Sequence, residues 1–243
     1  MGKDFETRLD AEVPATPEQV WAAIATGPGI SSWFIGRTDV DGDTVRTSFG
    51  DDWIPAGTVT AAEAPRRFAY RSDTADDGRF IAYEYLIEGR AGAATVLRAV
   101  TSGFLPGDDW SDEFEAMGYG TELFFRTLLE YLRFFPGRVA TPLTVFGPPV
   151  ADWPQTWRRL FAKLALDPSP RAGDLVQTEL IENGVVYFTN PHTIGIRTPD
   201  ALYRFIRGLH GGVVVGHELF TPADPTLWQQ FVDSLTTTEG NRP

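Results

Sequence analysis

Residues 111–135 read SDEFEAMGYGTELFFRTLLEYLRFF, and this stretch carries the strongest structural signal in the chain. Its apolar side chains recur at spacings of three and four residues, which is the pattern of a helix that buries one face. The residues of that face are Phe114, Met117, Thr121, Phe124, Phe125, Leu128, Leu132 and Phe135. Ser111 is a suitable N-cap, and Pro136-Gly137 ends the pattern. The sequence therefore predicts one long amphipathic helix that closes the first half of the chain.

The sixty residues before this helix have a different pattern, in which short apolar runs are separated by Gly, Asp and Pro. We expect strands at Thr44 to Phe49, Gly57 to Glu63, Arg67 to Ser72, Phe80 to Glu88 and Thr95 to Gly103. The connections Asp76-Asp77-Gly78 and Glu88-Gly89-Arg90-Ala91-Gly92 suit hairpins. This region is therefore predicted to be an antiparallel meander.

The N-terminal region supplies one more strand and two short helices. Phe5 to Val13 alternates like a strand, and Thr16-Pro17-Glu18-Gln19 has the composition of a capping box that opens a helix. Gly27-Pro28-Gly29 is expected to break that helix, leaving Ile30 to Phe34 for one more turn. The order strand, two short helices, five strands and long helix predicts an α+β fold. Its antiparallel sheet curls around its own C-terminal helix, an arrangement known as a helix grip.

The second half follows a similar but less regular plan. We expect strands at Val139 to Phe146, Asp174 to Ile181, Val185 to Thr189, Thr193 to Arg197, Leu202 to Ile206 and Val213 to Phe220, and helices at Trp153 to Leu166 and Pro225 to Leu235. Phe104-Leu105-Pro106-Gly107-Asp108 before the long helix is echoed by Phe220-Thr221-Pro222-Ala223-Asp224 before the last one. Residues 1–137 and 143–243 are thus expected to form two domains, the second either a degenerate repeat or a smaller, separate α+β domain.

Composition excludes several classes of protein. The 243 residues are 42% hydrophobic, which excludes a disordered chain, and no apolar run is long enough for a membrane helix. The absence of cysteine removes disulfides, thiolate metal sites and cysteine nucleophiles. A net charge of −12 without basic clusters disfavours nucleic acid and anionic membranes as partners. Without a secretory pattern at Met1 to Phe5, and with arginine far in excess of lysine, we expect a cytoplasmic bacterial protein.

Three segments of the first half resemble the START-like or SRPBCC superfamily, most closely the branch related to the activator of the heat-shock-protein-90 ATPase. Thr16 to Trp21 together with Ile30 to Phe34 is similar to the opening of that branch. Thr95 to Leu97 with Thr101 to Phe104 is similar to its last strand. Residues in the long helix are similar to its C-terminal helix, namely Trp110, Phe114, Gly118, Leu123, Leu128, Tyr131 and Leu132. The resemblance covers residues 1 to about 137, so it implies no role for the second half.

The resemblance implies a cavity between the inner sheet face and the long helix. Members of the superfamily bind lipids, hormones or polyketides there, and some catalyse cyclisation or dehydration. Strand alternation places Ile81, Tyr83, Tyr85 and Ile87 on the inner face, where two tyrosines give an apolar wall with polar tips. The ligand-binding candidates are Trp33, Phe34, Phe49, Trp53, Tyr83, Tyr85, Trp110, Phe114, Met117 and Thr121. This set favours a hydrophobic or aromatic ligand, although each side chain also suits a packed core.

No catalytic residue, metal ligand or cofactor site is predicted. The first half has no histidine, and Glu84 and Glu88 are expected to point outward into solvent. His192, His210 and His217 lack the spacing of a local metal motif, and a structural, hydrogen-bonded role suits them better. The 208–212 segment, Gly-Leu-His-Gly-Gly, is expected to be a hairpin, because no helix follows it as in a phosphate loop.

Three functions stay open at this point. The first is binding of a small hydrophobic molecule without chemistry. The second is a cyclase or dehydratase in the same cavity, for which Tyr83, Tyr85 and Asp52 are the candidate residues. The third is a chaperone-related or regulatory module that binds another protein. That partner can be a second copy of the chain, which would give a homodimer.

Overall fold

The computed structural model describes residues 2–50, 52–89, 94–107, 110–208 and 211–236, with the backbone alone at 52, 53, 110–113 and 116. The chain divides into two units, Met1–Ala140 (unit 1) and Thr141–Pro243 (unit 2). Each unit is α+β and contains one antiparallel sheet with few helices. In the described part of the chain, no helix has both the length and the apolar character needed to cross a membrane.

Unit 1 has one sheet with the strand order β1-β8-β7-β6-β5-β3-β2, and the short β4 pairs with β3. Its elements are β1 Lys3–Val13, α1 Pro17–Ala25, α2 Gly27–Ile30, β2 Thr38–Asp41, β3 Thr44–Phe49, β4 Asp52–Trp53, β5 Gly57–Glu63, β6 Arg67–Ser72, β7 Phe80–Gly89, β8 Thr95–Leu105 and α3 Trp110–Phe134. The five predicted strands of the meander are confirmed, and β3, β5 and β6 have the predicted bounds. The first strand, β1, lies beside the last, β8, in a register that runs from Lys3 opposite Leu105 to Val13 opposite Thr95.

The predicted capping box at the start of α1 is confirmed. The Gln19 backbone N–H donates to the Thr16 hydroxyl oxygen at 3.3 Å, and the Thr16 N–H donates to the Gln19 side chain at 2.9 Å. Val20, Ala23 and Ile24 are buried beneath this helix. The local sequence signal and the tertiary packing therefore agree at this end of the unit.

The first helix ends before Gly27, as predicted, but Gly27-Pro28-Gly29 are not a connection, because they form the start of α2. Thr26 caps the helix by accepting a hydrogen bond from the Gly29 N–H at 3.1 Å, and Pro28 occupies a position where its missing N–H costs nothing. A Cβ at Gly29 would lie 1.9 Å from the Ala22 carbonyl oxygen, so glycine permits α2 to pack directly on α1. The helical turn predicted for Ile30 to Phe34 thus starts three residues earlier, and α2 ends at Ile30.

The long helix α3 begins at Trp110, so Ser111 lies inside the helix and is not its N-cap, contrary to the prediction. Its C-terminal half contributes to the buried core of the unit. The buried residues there are Leu123, Phe125, Thr127, Leu128, Tyr131 and Leu132, and Phe135 directly after the helix is also buried. They include the C-terminal part of the predicted apolar face.

Two short strands of unit 1, β2 and β4, were not expected from the sequence. β2 pairs with β3 through a tight turn in which Gly42 has a φ of 55°. The Asp41-Gly42 dipeptide is a typical hairpin signal, but β2 has only four residues and alternates weakly. The formation of such short strands depends more on hydrogen bonding to a neighbouring strand than on the alternation of apolar and polar residues within them.

Unit 2 has a six-stranded sheet with the order β10-β11-β12-β13-β14-β9. Its elements are β9 Thr141–Pro149, α4 Trp153–Lys163, β10 Leu175–Val176, β11 Gly184–Asn190, β12 Thr193–Arg197, β13 Ala201–Arg207, β14 Gly212–Leu219 and α5 Pro225–Thr236. The antiparallel pairing of β13 with β14 confirms the hairpin predicted around residues 208–212, of which 209 and 210 lie outside the described residues. As in unit 1, the first strand lies beside the last, and a helix follows each of these two strands.

Three predictions for unit 2 need correction. The strand expected from Asp174 to Ile181 is limited to Leu175–Val176, because the chain then turns and the Thr178 N–H donates to the Ile181 carbonyl at 2.8 Å. The strand expected from Val139 to Phe146 is shifted to Thr141–Pro149 and ends in two prolines, which its edge position tolerates. The helix expected to reach Leu166 ends at Lys163.

The core of unit 2 lies between its sheet and its helices. Most of its members are almost fully buried aliphatic residues, with Phe205 and Trp228 among them: Val145, Leu160, Leu164, Val176, Ile181, Val186, Ile194, Ile196, Phe205, Val213, Val215, Trp228, Val232 and Leu235. A Cβ on Gly147 would lie 2.3 Å from a Val232 methyl carbon, so α5 lies directly on β9. The helix and the sheet of this unit are therefore in close contact.

Candidate functional site

The tyrosines of β7 lie on the inner face of the unit 1 sheet, as the alternation predicts. Tyr83 pairs in register with Tyr70 of β6, and the two rings lie 5.1 Å apart. Tyr85 follows two residues later and is 6% exposed. Tyr70 was missed in the sequence, although its position two residues after Phe68 on a predicted strand gives it the same inward parity. Three tyrosines, rather than two, therefore meet on this face.

The segment after α2 and the helix α3 bring further rings to these tyrosines. The Phe34 ring lies 6.2 Å from that of Tyr83 and 4.8 Å from that of Phe124 on α3. The Trp33 ring lies 6.3 Å from that of Tyr85. We call this set the aromatic group, and it consists of Trp33, Phe34, Tyr70, Tyr83, Tyr85 and Phe124. It joins four of the predicted ligand-binding residues to two that were not predicted as such.

Trp33 is the anchor of the aromatic group. Its indole N–H donates to the Ala23 carbonyl oxygen of α1 at 2.9 Å, and the side chain is only 2% exposed. The polar atom of Trp33 is thus already engaged by the backbone. This residue holds the rings beside it in place and offers no hydrogen bond to a ligand.

The tyrosine hydroxyls remain protonated at neutral pH. Burial raises the pKa of Tyr83 to about 12 and raises the pKa of Tyr70 and of Tyr85 further above the ordinary tyrosine value. The Tyr70 and Tyr85 hydroxyls share a hydrogen bond, in which either group can be the donor. The aromatic group therefore presents neutral hydroxyls that donate and accept hydrogen bonds but carry no charge.

Next to the aromatic group, the N-terminal half of α3 lacks the close packing of its C-terminal half. Every side chain described from Phe114 to Glu122 is half-buried or exposed, whereas the buried residues of α3 begin at Leu123. The burial along β7 is divided in a similar way, since Phe80 to Glu84 are half-buried while Tyr85 and Ile87 are buried. We call residues 114–122 the open half of α3.

Charged side chains lie on the outer side of this sheet. Glu84 points outward as predicted, and it accepts a hydrogen bond from the Arg67 guanidinium at 2.7 Å. Glu88 is exposed. On the inner face of β7, positions 81, 83, 85 and 87 carry only isoleucine and tyrosine. The surface around the aromatic group is thus apolar, with hydroxyl groups as its polar atoms.

The other predicted ligand-binding residues do not belong to the aromatic group. Phe114 packs edge to face on Phe5 of β1, with the ring centroids 5.8 Å apart. Met117 and Thr121 are half-buried on the open half of α3, and Phe49 is half-buried at the end of β3. The side chains of Trp53, Trp110 and Asp52 lie outside the described residues.

A groove of about 860 Å³ lies elsewhere in unit 1, between the start of α2 and the β2–β3 hairpin. Asp39, Asp41, Arg46 and Ile54 are among its lining residues. Among the residues whose side chains the structure describes, its walls do not include any predicted ligand-binding residue. Because Asp41, Arg46 and Ile54 are exposed, the groove is a surface feature without a buried polar group to select a ligand.

A second group of buried polar side chains lies in unit 2. Arg204 of β13 and Glu218 of β14 form an ion pair, both fully buried, and the Arg204 Nε donates to the Gly216 carbonyl at 2.5 Å. The neighbouring His217 is also fully buried and accepts a hydrogen bond at Nδ1 from the Arg204 backbone N–H at 3.1 Å. His217 Nε2 and Glu218 Oε2 have no hydrogen-bond partner among the residues that the structure describes.

The protonation of these groups follows from their burial. Burial lowers the pKa of His217, and the nearby Arg204 charge lowers it further. Burial raises the pKa of Glu218 to about 8, against the opposing effect of Arg204. In the described part of the chain, His, Asp and Glu side chains do not gather into a group of three that could hold a metal ion. His217 is buried and hydrogen-bonded, while His210 lies outside the described residues.

Comparisons with known proteins found similar structures but no sequence relative. No protein-family model and no curated protein matches the chain. DynU16, a putative protein in the dynemicin biosynthetic locus, is 20% identical, with 95% of each chain covered and a TM-score of 0.43. The di-domain ARO/CYC BexL from the BE-7585A biosynthetic pathway is 12% identical, with 94% of this chain and 92% of that chain covered and a TM-score of 0.45.

A third similar structure matches about half of this chain. The Aha1 dimer from Colwellia psychrerythraea is 18% identical, with 55% of this chain and 99% of that chain covered and a TM-score of 0.43. TM-scores below 0.5 are too low for any of these similarities to show a shared family or activity.

Proposed function

We propose that unit 1 is a START-like, helix-grip domain that binds a small hydrophobic or aromatic molecule and performs no chemistry on it. The ligand would lie on the aromatic group, beneath the open half of α3. The observation that carries this proposal is the convergence of rings from the segment after α2, the sheet and α3, next to a stretch of α3 whose described side chains are half-buried or exposed. Apolar walls with a few polar atoms are typical of small-molecule sites.

The chemistry of the aromatic group defines the ligand class. Ring faces favour a planar apolar molecule, because aromatic rings stack or meet edge to face at the separations found here. The tyrosine hydroxyls are neutral, so a carbonyl or hydroxyl on the ligand would be a better partner for them than a charged group. We therefore favour an uncharged aromatic ligand with one or two oxygen atoms.

The pKa values support binding without catalysis. A general acid or base works best when its pKa is near the operating pH, whereas burial raises the pKa of Tyr83 to about 12 and that of Tyr85 further. A cyclase or dehydratase would need a more acidic group, and the charged residues of β7, Glu84 and Glu88, point away from the site or are exposed. The tyrosines serve this site better as fixed hydrogen-bond donors.

The strand order supports the view that unit 2 is a degenerate repeat of the same plan. In both units the first strand lies beside the last strand, a meander fills the rest of the sheet, and a helix follows the last strand. The close-packed core of unit 2 favours a structural role for it rather than a second ligand site.

Two measurements on the full-length protein test the ligand site. Organic extracts of natively purified protein are analysed by mass spectrometry, and thermal unfolding is followed with a panel of flavonoids, fatty acids and polyketide-like aromatic ketones. A bound compound stabilises the folded state by about 2.7 kcal/mol at a free concentration of 100 times its Kd. We expect stabilisation by at least one aromatic ketone or flavonoid.

Two tyrosine variants locate the binding. Tyr83→Phe keeps the ring and removes the hydroxyl, which should weaken binding of an oxygen-bearing ligand about fivefold to tenfold. Tyr119→Phe is the matched control, because the Tyr119 hydroxyl bonds to Glu115 on α3 itself. Equal affinity in both variants would contradict a site at Tyr83, and a chain that neither carries nor binds any compound of the panel would contradict the proposed function.

A further inference from the structure

His217 lies at the contact between the sheet of unit 2 and α5. Three rings surround its imidazole edge to face, with centroids 4.2 Å away at Trp228 of α5, 4.8 Å at Tyr203 and 5.4 Å at Phe205. Trp228 is 3% exposed and belongs to the buried core of the unit. The imidazole is therefore part of the surface on which α5 packs.

The hydrogen bonding of His217 selects its neutral form. Nδ1 accepts the Arg204 backbone N–H at 3.1 Å, so the single proton of the neutral ring resides on Nε2. Nε2 faces no hydrogen-bond acceptor. A second proton would have to be placed on Nδ1, where it would meet the Arg204 N–H and break the bond.

The described residues around His217 provide no countercharge on its own side of the sheet. Strand alternation puts the side chains of Arg204 and Glu218 on the opposite face, where they pair with each other. On the same face, β13 contributes Tyr203, whose pKa is raised by burial. Arg207, at the end of β13, is exposed and lies over the Trp153 ring, with its guanidinium carbon 5.0 Å from the ring centroid.

The other two elements packed against His217 are equally without a countercharge. β9 carries no titratable residue, and it places Leu143 opposite His217. The titratable residue of α5 is Asp233, which is exposed and accepts a hydrogen bond from Gln229. Attraction of an imidazolium to the surrounding rings is smaller than the cost of burying that charge.

We propose that His217 is an acid-sensitive latch, which holds α5 on the sheet of unit 2 while it is neutral and releases the helix when it becomes protonated. Opening exposes the imidazole to water, where it takes up the proton that the closed form excludes. Unit 1 lacks such a latch, since all three histidines of the chain follow residue 140. Mild acid should thus open unit 2 selectively.

The size of the effect follows from proton linkage. A group whose pKa is lowered in the folded state contributes stability above its unfolded value of about 6.5, and that stability is lost as the pH falls. The titration of His217 should therefore by itself increase opening of α5 about tenfold at pH 5.5 and about a hundredfold at pH 4.5, relative to pH 7.5. Glu218 has the opposite sign, because its raised pKa adds stability as the pH falls from about 8 towards 4.5.

The experiment compares hydrogen exchange of the full-length protein and of His217→Asn between pH 7.5 and pH 4.5, corrected for intrinsic exchange rates. The asparagine oxygen can replace Nδ1 as the acceptor for the Arg204 N–H, and it does not titrate. Glu218 is the same in both proteins, so its effect cancels in the ratio of their opening constants. We expect this ratio, for peptides within 225–236, to rise about tenfold per pH unit below 6.5.

His192→Asn serves as the matched control, because His192 belongs to the same unit but lies half-exposed before β12. It should follow the wild-type pH dependence, and peptides of unit 1 should show no rise. A ratio between wild type and His217→Asn that stays constant within a factor of two down to pH 4.5 would overturn the latch.

Nuclear magnetic resonance of the wild-type protein gives a second readout that needs no variant to fold. The His217 ring should show the Nε2–H tautomer and no titration in the folded state near pH 6.5. Titration of His217 near pH 6.5 within the intact fold would equally overturn the proposal.

Discussion

The two units share a strand plan but differ in how their last helix meets the sheet. In unit 2, the 12-residue α5 lies against a face of buried aliphatic and aromatic side chains. In unit 1, the buried residues described in the 25-residue α3 begin only at Leu123. The strand order alone therefore does not decide how closely the last helix packs on the sheet.

The two units also differ in the charge of the polar groups that they bury. Unit 1 buries hydroxyl groups, which are neutral at every physiological pH, whereas unit 2 buries an arginine, a glutamate and a histidine. Isolated buried charges are costly, so unit 2 should be the more sensitive of the two to substitution of a single polar residue and to pH.

The largest expected effect is that of Glu218→Ala. Removal of the carboxyl group leaves the buried Arg204 guanidinium without its ion-pair partner, which should lower the free energy of unfolding by about 3 to 5 kcal/mol. Chemical denaturation of the full-length protein, with hydrogen exchange to assign the loss to unit 2, measures this effect.

Glu218→Gln is the matched control for that change. The isosteric amide keeps an oxygen that can accept a hydrogen bond from Arg204 but carries no charge, so at pH 7 it should cost less than alanine does. Between pH 4.5 and about 8 the wild-type protein should lose the stability that the raised pKa provides, while Glu218→Gln should not. An equally severe loss from Gln and Ala at pH 7 would mean that Arg204 depends on the charge of Glu218 and not on its hydrogen-bonding oxygen.

Sequence reasoning was most successful where local chemistry and tertiary packing agree. The Thr16 capping box and the inward parity of Tyr83 and Tyr85 are both local properties, and both are observed. Tyr70 was missed as a site residue because its role depends on β6 pairing with β7 in one register, which no single segment encodes. The ion pair between Arg204 and Glu218 was missed for the same reason, because the two residues lie on different strands, 14 positions apart in the sequence.

The errors in strand and helix bounds also have physical causes. Gly27-Pro28-Gly29 has the composition of a helix breaker, yet the Thr26 cap and the close approach to Ala22 stabilise a helix there. Residues 177–181 have suitable strand composition, but Thr178 forms a turn with Ile181 instead. In both places a specific hydrogen bond outweighs residue propensity.

The second prediction compares the two halves of α3. Leu128→Ala removes a fully buried side chain from the close-packed half and should cost about 2 to 5 kcal/mol. Thr121→Ala, in the open half, should change the stability by less than about 0.5 kcal/mol. Denaturant titration of both variants measures the difference, and similar losses would show that the open half is packed as tightly as the rest.

The third prediction concerns the contact of α5 with β9. Gly147→Ala would place a Cβ 2.3 Å from a Val232 methyl carbon and 3.0 Å from the Val213 carbonyl oxygen. The side chain of Val232 can shift, but the backbone oxygen cannot do so easily, so we expect a loss of about 1 to 3 kcal/mol. Thermal unfolding checks the loss, and an unchanged unfolding temperature would contradict close contact between α5 and the sheet.

The smallest expected effect, and the one of opposite sign, is that of Gly118→Ala in the open half of α3. Glycine inside a helix is less favourable than alanine by up to about 1 kcal/mol, and a Cβ at Gly118 would meet no atom within 4 Å. The substitution should therefore stabilise unit 1 by up to that amount, as measured by denaturant titration. Destabilisation would mean that the space beside Gly118 is occupied in solution. If removal of the bound compound then restored the expected gain, the occupant would be the ligand itself, and the open half of α3 would be its cover.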